Sequence, residues 1–462
     1  LRLRKLAVDH WFLLIVLTAG TALRIVVTLA YEPILMLQRD TYTYLHLAVE
    51  TGVSGFRPSL YPLMLKPLLA TGGLELVALV QHLSGLTVAV LLYLLMRKLG
   101  VSAPVAALGV APPLLDGFVL NIEHYLLTET FFILFLVGAL VLLSWSDRPS
   151  WLVAGTGGAL IGLSTLLRFV GAAAIVPALV YVLVRRMGWT RVVALAAGFL
   201  IPLGAYSLWF SSETGSGGLT DSNGFFLYGR VVEFADCDEV EVENELREYC
   251  PEESTESESI ESETKGMFTS GLDIKAVRED PEGNSKLLRF GRAMIVAKPG
   301  AYFGEVLSDF VQYFEASEPE SREPNVKRWL FVTSVAQAEP HPTVLRFDAG
   351  PPPTSGIDAD FKINEGSAGF LRSYQGVFYT YGPLLAVMLA VGLVGGALAR
   401  RPEEGRWLLP DTLLFTLVAI ALLLAPTMLA VYHFRYVLPA ISLGGTAAAL
   451  GFSALVKRFG RT

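Results

Sequence analysis

The feature that most constrains this chain is a series of apolar blocks, each roughly long enough to cross a ~30 Å hydrocarbon layer. They fall near residues 11–31, 74–96, 101–118, 121–145, 151–167, 170–185, 191–210, 379–399, 407–426 and 436–456. Backbone N–H and C=O groups find no water in lipid, so such blocks predict helices that satisfy themselves. Composition agrees, since 53% of the 462 residues are hydrophobic and only 17% charged, against ~25% charged in ordinary soluble domains. The first block lacks a small-residue cleavage site and runs into patterned sequence, so we expect it to stay attached.

The expected fold class is an all-α polytopic membrane protein of about ten transmembrane helices. An extracytoplasmic α or α+β domain is inserted between spans seven and eight. Three regions follow: 1–210 with spans one to seven, an acidic domain at 211–378, and 379–462 with spans eight to ten. The insertion holds 31 Asp+Glu and 15 Lys+Arg, leaving 43 − 31 = 12 acids and 36 − 15 = 21 bases elsewhere. Cytoplasmic loops are enriched in Lys and Arg. With the N-terminus (Arg2, Arg4, Lys5) inside, the basic positions fall in every second loop: Arg97-Lys98, Arg148, Arg185-Arg186 with Arg191, Arg400-Arg401 with Arg406, and Lys457-Arg458. Both termini are then cytoplasmic and the acidic insertion lies outside. Both cysteines, Cys237 and Cys250, fall in that insertion, where a disulfide is compatible with the compartment; two separate thiols are the alternative.

The segment 32–73 is amphipathic, with Tyr42, Tyr44, Leu45 and Leu47 and then Phe56, Leu60, Tyr61 and Leu63. It suits short helices in the membrane interface. Within the insertion, Asp236 to Glu263 reads as a solvated or disordered face. Lys286–Lys298 and Ala301–Phe314 show helical apolar spacing, broken at Pro299-Gly300, and Pro351 to Gly356 reads as a linker.

Six bases outside the insertion do not fit the cytoplasmic pattern: Arg24, Arg39, Arg57, Lys66, Arg168 and Arg435. All six fall toward the outer side, where ionisable groups tend to face a cavity or a partner. Any single one could snorkel to headgroups, but together they suit an anionic ligand, with Arg able to fork onto phosphate. The acids on that side are Asp40, Asp116, Glu123 and Glu129, the last inside an apolar run where a carboxylate needs a partner or a proton. Asp40 with the Glu123-His124 pair has donor types for a divalent cation, Mg or Mn. An interfacial hydrogen-bonding role explains His124 equally well. His433 precedes Arg435 by two residues, which could place both on one ligand.

These pieces resemble the GT-C superfamily of integral membrane glycosyltransferases, in the branch similar to protein O-mannosyltransferases and the aminoarabinose transferase of lipid A. An acidic residue follows the first span in Asp40-Thr-Tyr-Thr-Tyr44-Leu-His-Leu-Ala48, where Asp40, Tyr44 and Ala48 would share one helical face. Arg57-Pro58-Ser59-Leu60-Tyr61-Pro62 resembles the family's basic-Pro-Pro-Leu-Tyr segment, with Arg for Lys and Ser for the second Pro. Leu127-Thr128-Glu129 is similar to a Ser/Thr-Glu in the fourth span, and Arg168-Phe-Val-Gly171 to a Thr-Arg-Pro-x-Gly turn. Lys298-Pro299-Gly-Ala-Tyr302 loosely matches a His-Pro-x-x-Tyr helix start, and Phe434-Arg435-Tyr436-Val-Leu-Pro439 matches an Arg-Tyr-Leu-Leu-Pro segment.

The resemblance implies a GT-C-like fold and inverting transfer of a sugar from a polyprenyl-phosphate donor to an acceptor hydroxyl on a protein, lipid or glycan. Asp40 would be the base, its ionised form favoured by nearby Arg39. Arg57, Arg168 and Arg435 would clamp the donor phosphate, with Lys66 and Arg24 behind them. Glu123, His124, Tyr44, Tyr61, Glu129 and His433 would position acceptor or metal. Membrane lipids are the other expected partners, and nucleic acid is not among them. Two rivals remain open at this point. One is a transporter or lipid flippase, the other a non-enzymatic envelope assembly protein using the acidic domain as its binding module.

Overall fold

The computed structural model describes residues 10–36, 38–251, 276–277, 280–316, 330–333, 361–399, 407–430 and 432–459, with Gln38 and Arg39 described by backbone alone. The expected linker at 351–356, the residues 252–263 of the expected solvated face, and the Arg39 side chain lie outside the described residues.

The first span is α1 (Trp11–Ala30), and it leads through a short strand β1 (Tyr31–Glu32) into α2 (Gln38–Glu50). The long α3 (Leu60–Lys98) is interrupted at Gly72-Gly73, and Gly73 takes a φ of 64° that favours glycine. Two shorter helices, α4 (Ala103–Leu115) and α5 (Gly117–Glu123), meet at a 53° bend. The bundle continues with α6 (Glu129–Ser144), α7 (Trp151–Leu167), a 3₁₀ turn (Phe169–Ala174), α8 (Ile175–Val184) and α9 (Trp189–Thr214). The insertion supplies α10 (Asn223–Val231), α11 (Gly283–Ala297), α12 (Pro299–Gln312), strand β2 (Lys362–Ile363) and α13 (Glu365–Gln375). The chain then returns through α14 (Gly382–Leu398), α15 (Leu409–Leu429), a 3₁₀ turn (Phe434–Tyr436) and α16 (Val437–Phe459).

Every expected span coincides with helix, but the helices differ in length. Five described helices are long and apolar enough to cross a membrane, six if the bent α4–α5 pair counts as one. Four further apolar segments, Glu129–Ser144, Trp151–Leu167, Phe169–Val184 and Gly382–Leu398, run only 10–17 residues. At ~1.5 Å per residue these reach ~25 Å or less. The chain is a membrane protein, and among the described residues five or six segments meet the spanning criterion by length and composition.

Burial explains the arrangement. The centre is α16, packed on α4, α14 and α15 with Ile441, Leu443 and Leu450 fully enclosed. By contrast α1 buries only Gly20, Arg24, Val27 and Ala30, one narrow stripe on an otherwise outward-facing helix. Arg24 therefore points inward.

The insertion has its own core, built on Phe225, Tyr228, Leu246, Leu287, Phe290 and Met294. Pro299 opens α12 at a first-turn position, as the break at Pro299-Gly300 predicts. The β1–β2 pair is antiparallel, with Tyr31 opposite Ile363 and Glu32 opposite Lys362, so the insertion also ties back to the end of α1. Hydrogen bonds from Arg289 and Lys286 hold the Glu245 and Asp280 carboxyls below the ordinary carboxylate range. Cys237 and Cys250 are joined across 13 residues. A loop of that size constrains the unfolded chain by about 2–3 kcal/mol. Replacing both cysteines by Ser is expected to speed proteolysis within 221–298 while leaving the spanning helices protected. Equal cleavage in both proteins would remove the disulfide's stabilising role.

Candidate functional site

Loop register brings the site together. Leu35 N–H donates to the His124 carbonyl at 3.0 Å, and Leu126 N–H donates to the Leu35 carbonyl at 2.9 Å. Thr41 Oγ1 then donates to the Leu126 carbonyl at 3.2 Å. These bonds zip the segment before α2 against the segment before α6, so Asp40 and Glu129 arrive side by side. Each lies in the first turn of its helix, where the exposed N–H groups favour negative charge. Asp40, Tyr44 and Ala48 do share a buried face.

Two carboxylates and three guanidiniums meet there. Asp40 is 4% exposed. Arg57 Nη2 lies 2.5 Å from its Oδ1, and Arg435 Nη1 lies 2.6 Å from its Oδ2. The same Arg435 nitrogen is 3.7 Å from Glu129 Oε1, which also pairs with Arg168. Arg168, the residue that caps the carbonyl end of α7, stacks 4.8 Å from the Tyr436 ring centroid. Arg57 is the most accessible member at 28%. His433 caps the 3₁₀ turn carrying Arg435, its Nδ1 accepting from Arg435 N–H at 3.3 Å. Tyr44 and Tyr61 pack edge to face with centroids 5.0 Å apart, and Tyr61 OH donates to Gln81 Oε1 at 2.7 Å.

The other expected residues go elsewhere. Arg24 pairs with Glu123. Its Nε and Nη2 fork onto Glu123 at 2.7 and 2.8 Å. Nη1 donates to the Gly20 and Leu114 carbonyls, and Nη2 also to Pro113. All five guanidinium N–H groups are thereby used. Lys66 is exposed and donates to Thr51, away from Asp40. Glu123 and His124 form a second buried network instead: His82 Nδ1 lies 2.7 Å from Glu123 Oε1, and His82 Nε2 lies 3.0 Å from His124 Nδ1. His124 Nε2 then donates to the Tyr31 carbonyl at 2.6 Å. Of the expected Asp40–Glu123–His124 cation set, Asp40 pairs with arginine while Glu123 and His124 pair with Arg24, His82 and the Tyr31 carbonyl. Among the described residues no group of three His, Cys, Asp or Glu has metal-holding geometry.

Between the two networks lies a small cavity of about 30 Å³ whose wall includes both Glu123 and Glu129, with Gly85, Val88, Ile133 and Leu438. A Cβ on Gly85 would sit 2.0 Å from Glu123 Oε2, so this glycine makes room for the carboxylate.

Sequence reading missed His82 and Gln81, although two polar residues inside the apolar run 74–96 were a visible signal. It also missed what the acidic domain does. Phe56 packs on Phe225 at 5.8 Å, while the Gly55 carbonyl accepts from Asp221 N–H at 3.0 Å and Ser222 Oγ at 2.9 Å. That seats the loop carrying Arg57. On the other side, Asp309 of α12 pairs with the fully buried Arg230 and accepts from Tyr432 N–H at 3.0 Å. That braces the loop leading to Arg435. Nothing in the sequence marked Asp309 out among 31 acids in the insertion.

Several solved structures are similar to this chain along nearly its whole length. The apo oligosaccharyltransferase of Archaeoglobus fulgidus has a TM-score of 0.44 at 14% identity, covering 97% of this chain and 50% of that one. ArnT from Cupriavidus metallidurans bound to undecaprenyl phosphate has a TM-score of 0.38 at 15% identity, covering 96% and 77%. Its apo state has a TM-score of 0.36 at 16% identity with the same coverage. The chain thus spans half the length of the archaeal enzyme. No family model and no curated protein matches the sequence. No residue role is carried over from these likenesses.

Arg435 is the member shared by both carboxylates, and lysine cannot reproduce a forked guanidinium. Arg435→Lys is expected to weaken binding of a phosphate-bearing anion at this cluster about tenfold, or ~1.4 kcal/mol. Unchanged affinity in a membrane-reconstituted titration would remove Arg435 from the anion site.

Proposed function

We propose that this chain is a membrane glycosyltransferase that moves a sugar from a polyprenyl-phosphate donor to an acceptor hydroxyl on the extracytoplasmic side, with inversion. One observation supports this reading above the rest: a buried carboxylate, Asp40, lies between two guanidiniums at 2.5 and 2.6 Å, and a third pairs with the adjacent Glu129. A base and an anion clamp are what such a transfer requires. The disulfide fits a domain outside the cytoplasm, with both termini inside.

Without donor, Arg57 and Arg435 neutralise Asp40. A donor phosphate competes for the same N–H groups, forking onto them as carboxylates do. Asp40 is then released toward the acceptor. The acceptor oxygen attacks C1 from the face opposite the phosphate and gives its proton to Asp40. The C1–O bond to phosphate breaks, and its electron pair stays on the phosphate oxygen, where the arginines stabilise the charge. Glu129 holds Arg168 in place and shares Arg435, keeping the clamp assembled when Asp40 lets go.

The test is transfer by the protein reconstituted in vesicles, using a panel of polyprenyl-phosphate sugars and hydroxyl acceptors. One polyprenyl phosphate should appear per sugar transferred, with the anomeric configuration reversed. Movement of labelled lipid across the bilayer with no transfer from any donor would instead favour a flippase.

A further inference from the structure

We infer that α12 lies in the extracytoplasmic membrane interface, with its exposed face against the acyl chains and glycerol layer of the outer leaflet. That face carries Gly300, Phe303, Gly304, Leu307, Ser308 and Val311 and no charge, although the insertion around it holds 31 acids and 15 bases. Phe303 is 61% exposed and Leu307 62%. They recur at i and i+4 with Val311 following, a single stripe. A Cβ built on Gly300 or Gly304 meets nothing within 4 Å. The helix's acids turn the other way, Asp309 pairing with Arg230 and Glu305 lying 3.6 Å from it.

The occupant follows from where α12 is fixed. Tyr302 OH donates to the carbonyl of Met428 at 2.9 Å, one residue before the end of the candidate span α15, and Asp309 accepts from Tyr432 N–H just beyond it. The helix is therefore held at the height where a spanning helix leaves the bilayer. Leu429, next to the Met428 contact, is itself 61% exposed. The apolar stripe thus continues the outward-facing surface of α15. An acidic domain could approach a leaflet of anionic lipid only through a face without negative charge, and α12 presents one. An amphipathic helix with Phe and Leu outward at that depth has the composition of an in-plane anchor. This inference rests on α15 being a span and not on the glycosyl-transfer reading.

The chain's two cysteines are disulfide-bonded, so an introduced cysteine is the one free thiol. Phe303→Cys, Leu307→Cys and, as reference, the exposed Glu282→Cys would each be labelled with an environment-sensitive fluorophore. The full chain would be held at one copy per lipid nanodisc. Nitroxide-labelled phosphatidylcholine should quench the 303 and 307 labels at least twofold while aqueous iodide spares them, and the 282 label should behave oppositely. Iodide quenching at 303 and 307 without nitroxide quenching would overturn the inference. So would shielding that appears only at two copies per disc, which would assign the face to a second chain. Both readouts are independent of whether any sugar is transferred.

Discussion

Asp40→Asn is expected to abolish sugar transfer while leaving donor binding intact or slightly tighter. General base catalysis by a positioned carboxylate contributes ~10²–10⁴ in rate, or about 3–5 kcal/mol of barrier. An amide of the same shape cannot take the acceptor proton. It also no longer attracts Arg57 and Arg435, which hold Asp40 at 2.5 and 2.6 Å. In the unliganded protein, Asp40 competes with the donor phosphate for those guanidiniums. Removing its charge should therefore free the clamp. Opposite movement of rate and affinity distinguishes this mechanism from simple damage to the site, which would lower both. The measurement is transfer rate together with equilibrium binding of a polyprenyl phosphate in the same vesicles. Full transfer activity in the variant would dismiss Asp40 as the base. Loss of donor binding in parallel would instead make it a structural partner of the arginines.

Asp40 was legible because its surroundings follow short-range rules. An acid at the start of an amphipathic run, with apolar residues at i+4 and i+8, predicts a helix with its acid turned inward. Arg435 and Arg57 were legible as types and by side, since charge bookkeeping marked both as bases out of place. Their meeting at Asp40 was not, because Arg435 is 395 residues away in the chain and only tertiary packing brings it there. The same bookkeeping grouped Arg24 and Lys66 with them, while the structure pairs Arg24 with Glu123 and Lys66 with Thr51. It counts residues on a side but not donors already used, and Arg24 spends all five N–H groups on Glu123 and three carbonyls. Hydropathy placed the helices well but says less about their length, and four of the apolar segments form helices of only 10–17 residues. The acidic domain looked peripheral in composition, but through Phe56 and Asp309 it seats the loops of two of the three arginines.

Arg24→Met should be among the most destabilising single changes in the bundle. Glu123 would keep only its His82 contact, leaving a carboxylate that is 3% exposed without its guanidinium. Removing one partner of a buried ion pair costs about 3–5 kcal/mol, because the remaining charge loses compensation without regaining water. The damage would also spread along the chain of contacts to the site. His82, His124 and the Tyr31 carbonyl follow Glu123 in one series of contacts. His124 in turn anchors Leu35, three residues before α2 and five before Asp40. Arg24→Met combined with Glu123→Gln removes both charges and leaves an amide oxygen for His82, so most of the loss should return. The expected result is a large drop in thermal unfolding temperature for the single variant and a near-normal value for the pair, read in the same detergent. Equal losses in single and double variants would mean that Arg24 stabilises through its three carbonyl contacts and not through Glu123. The second network would then be separate from the ion pair and have no hold on the loop that carries Asp40.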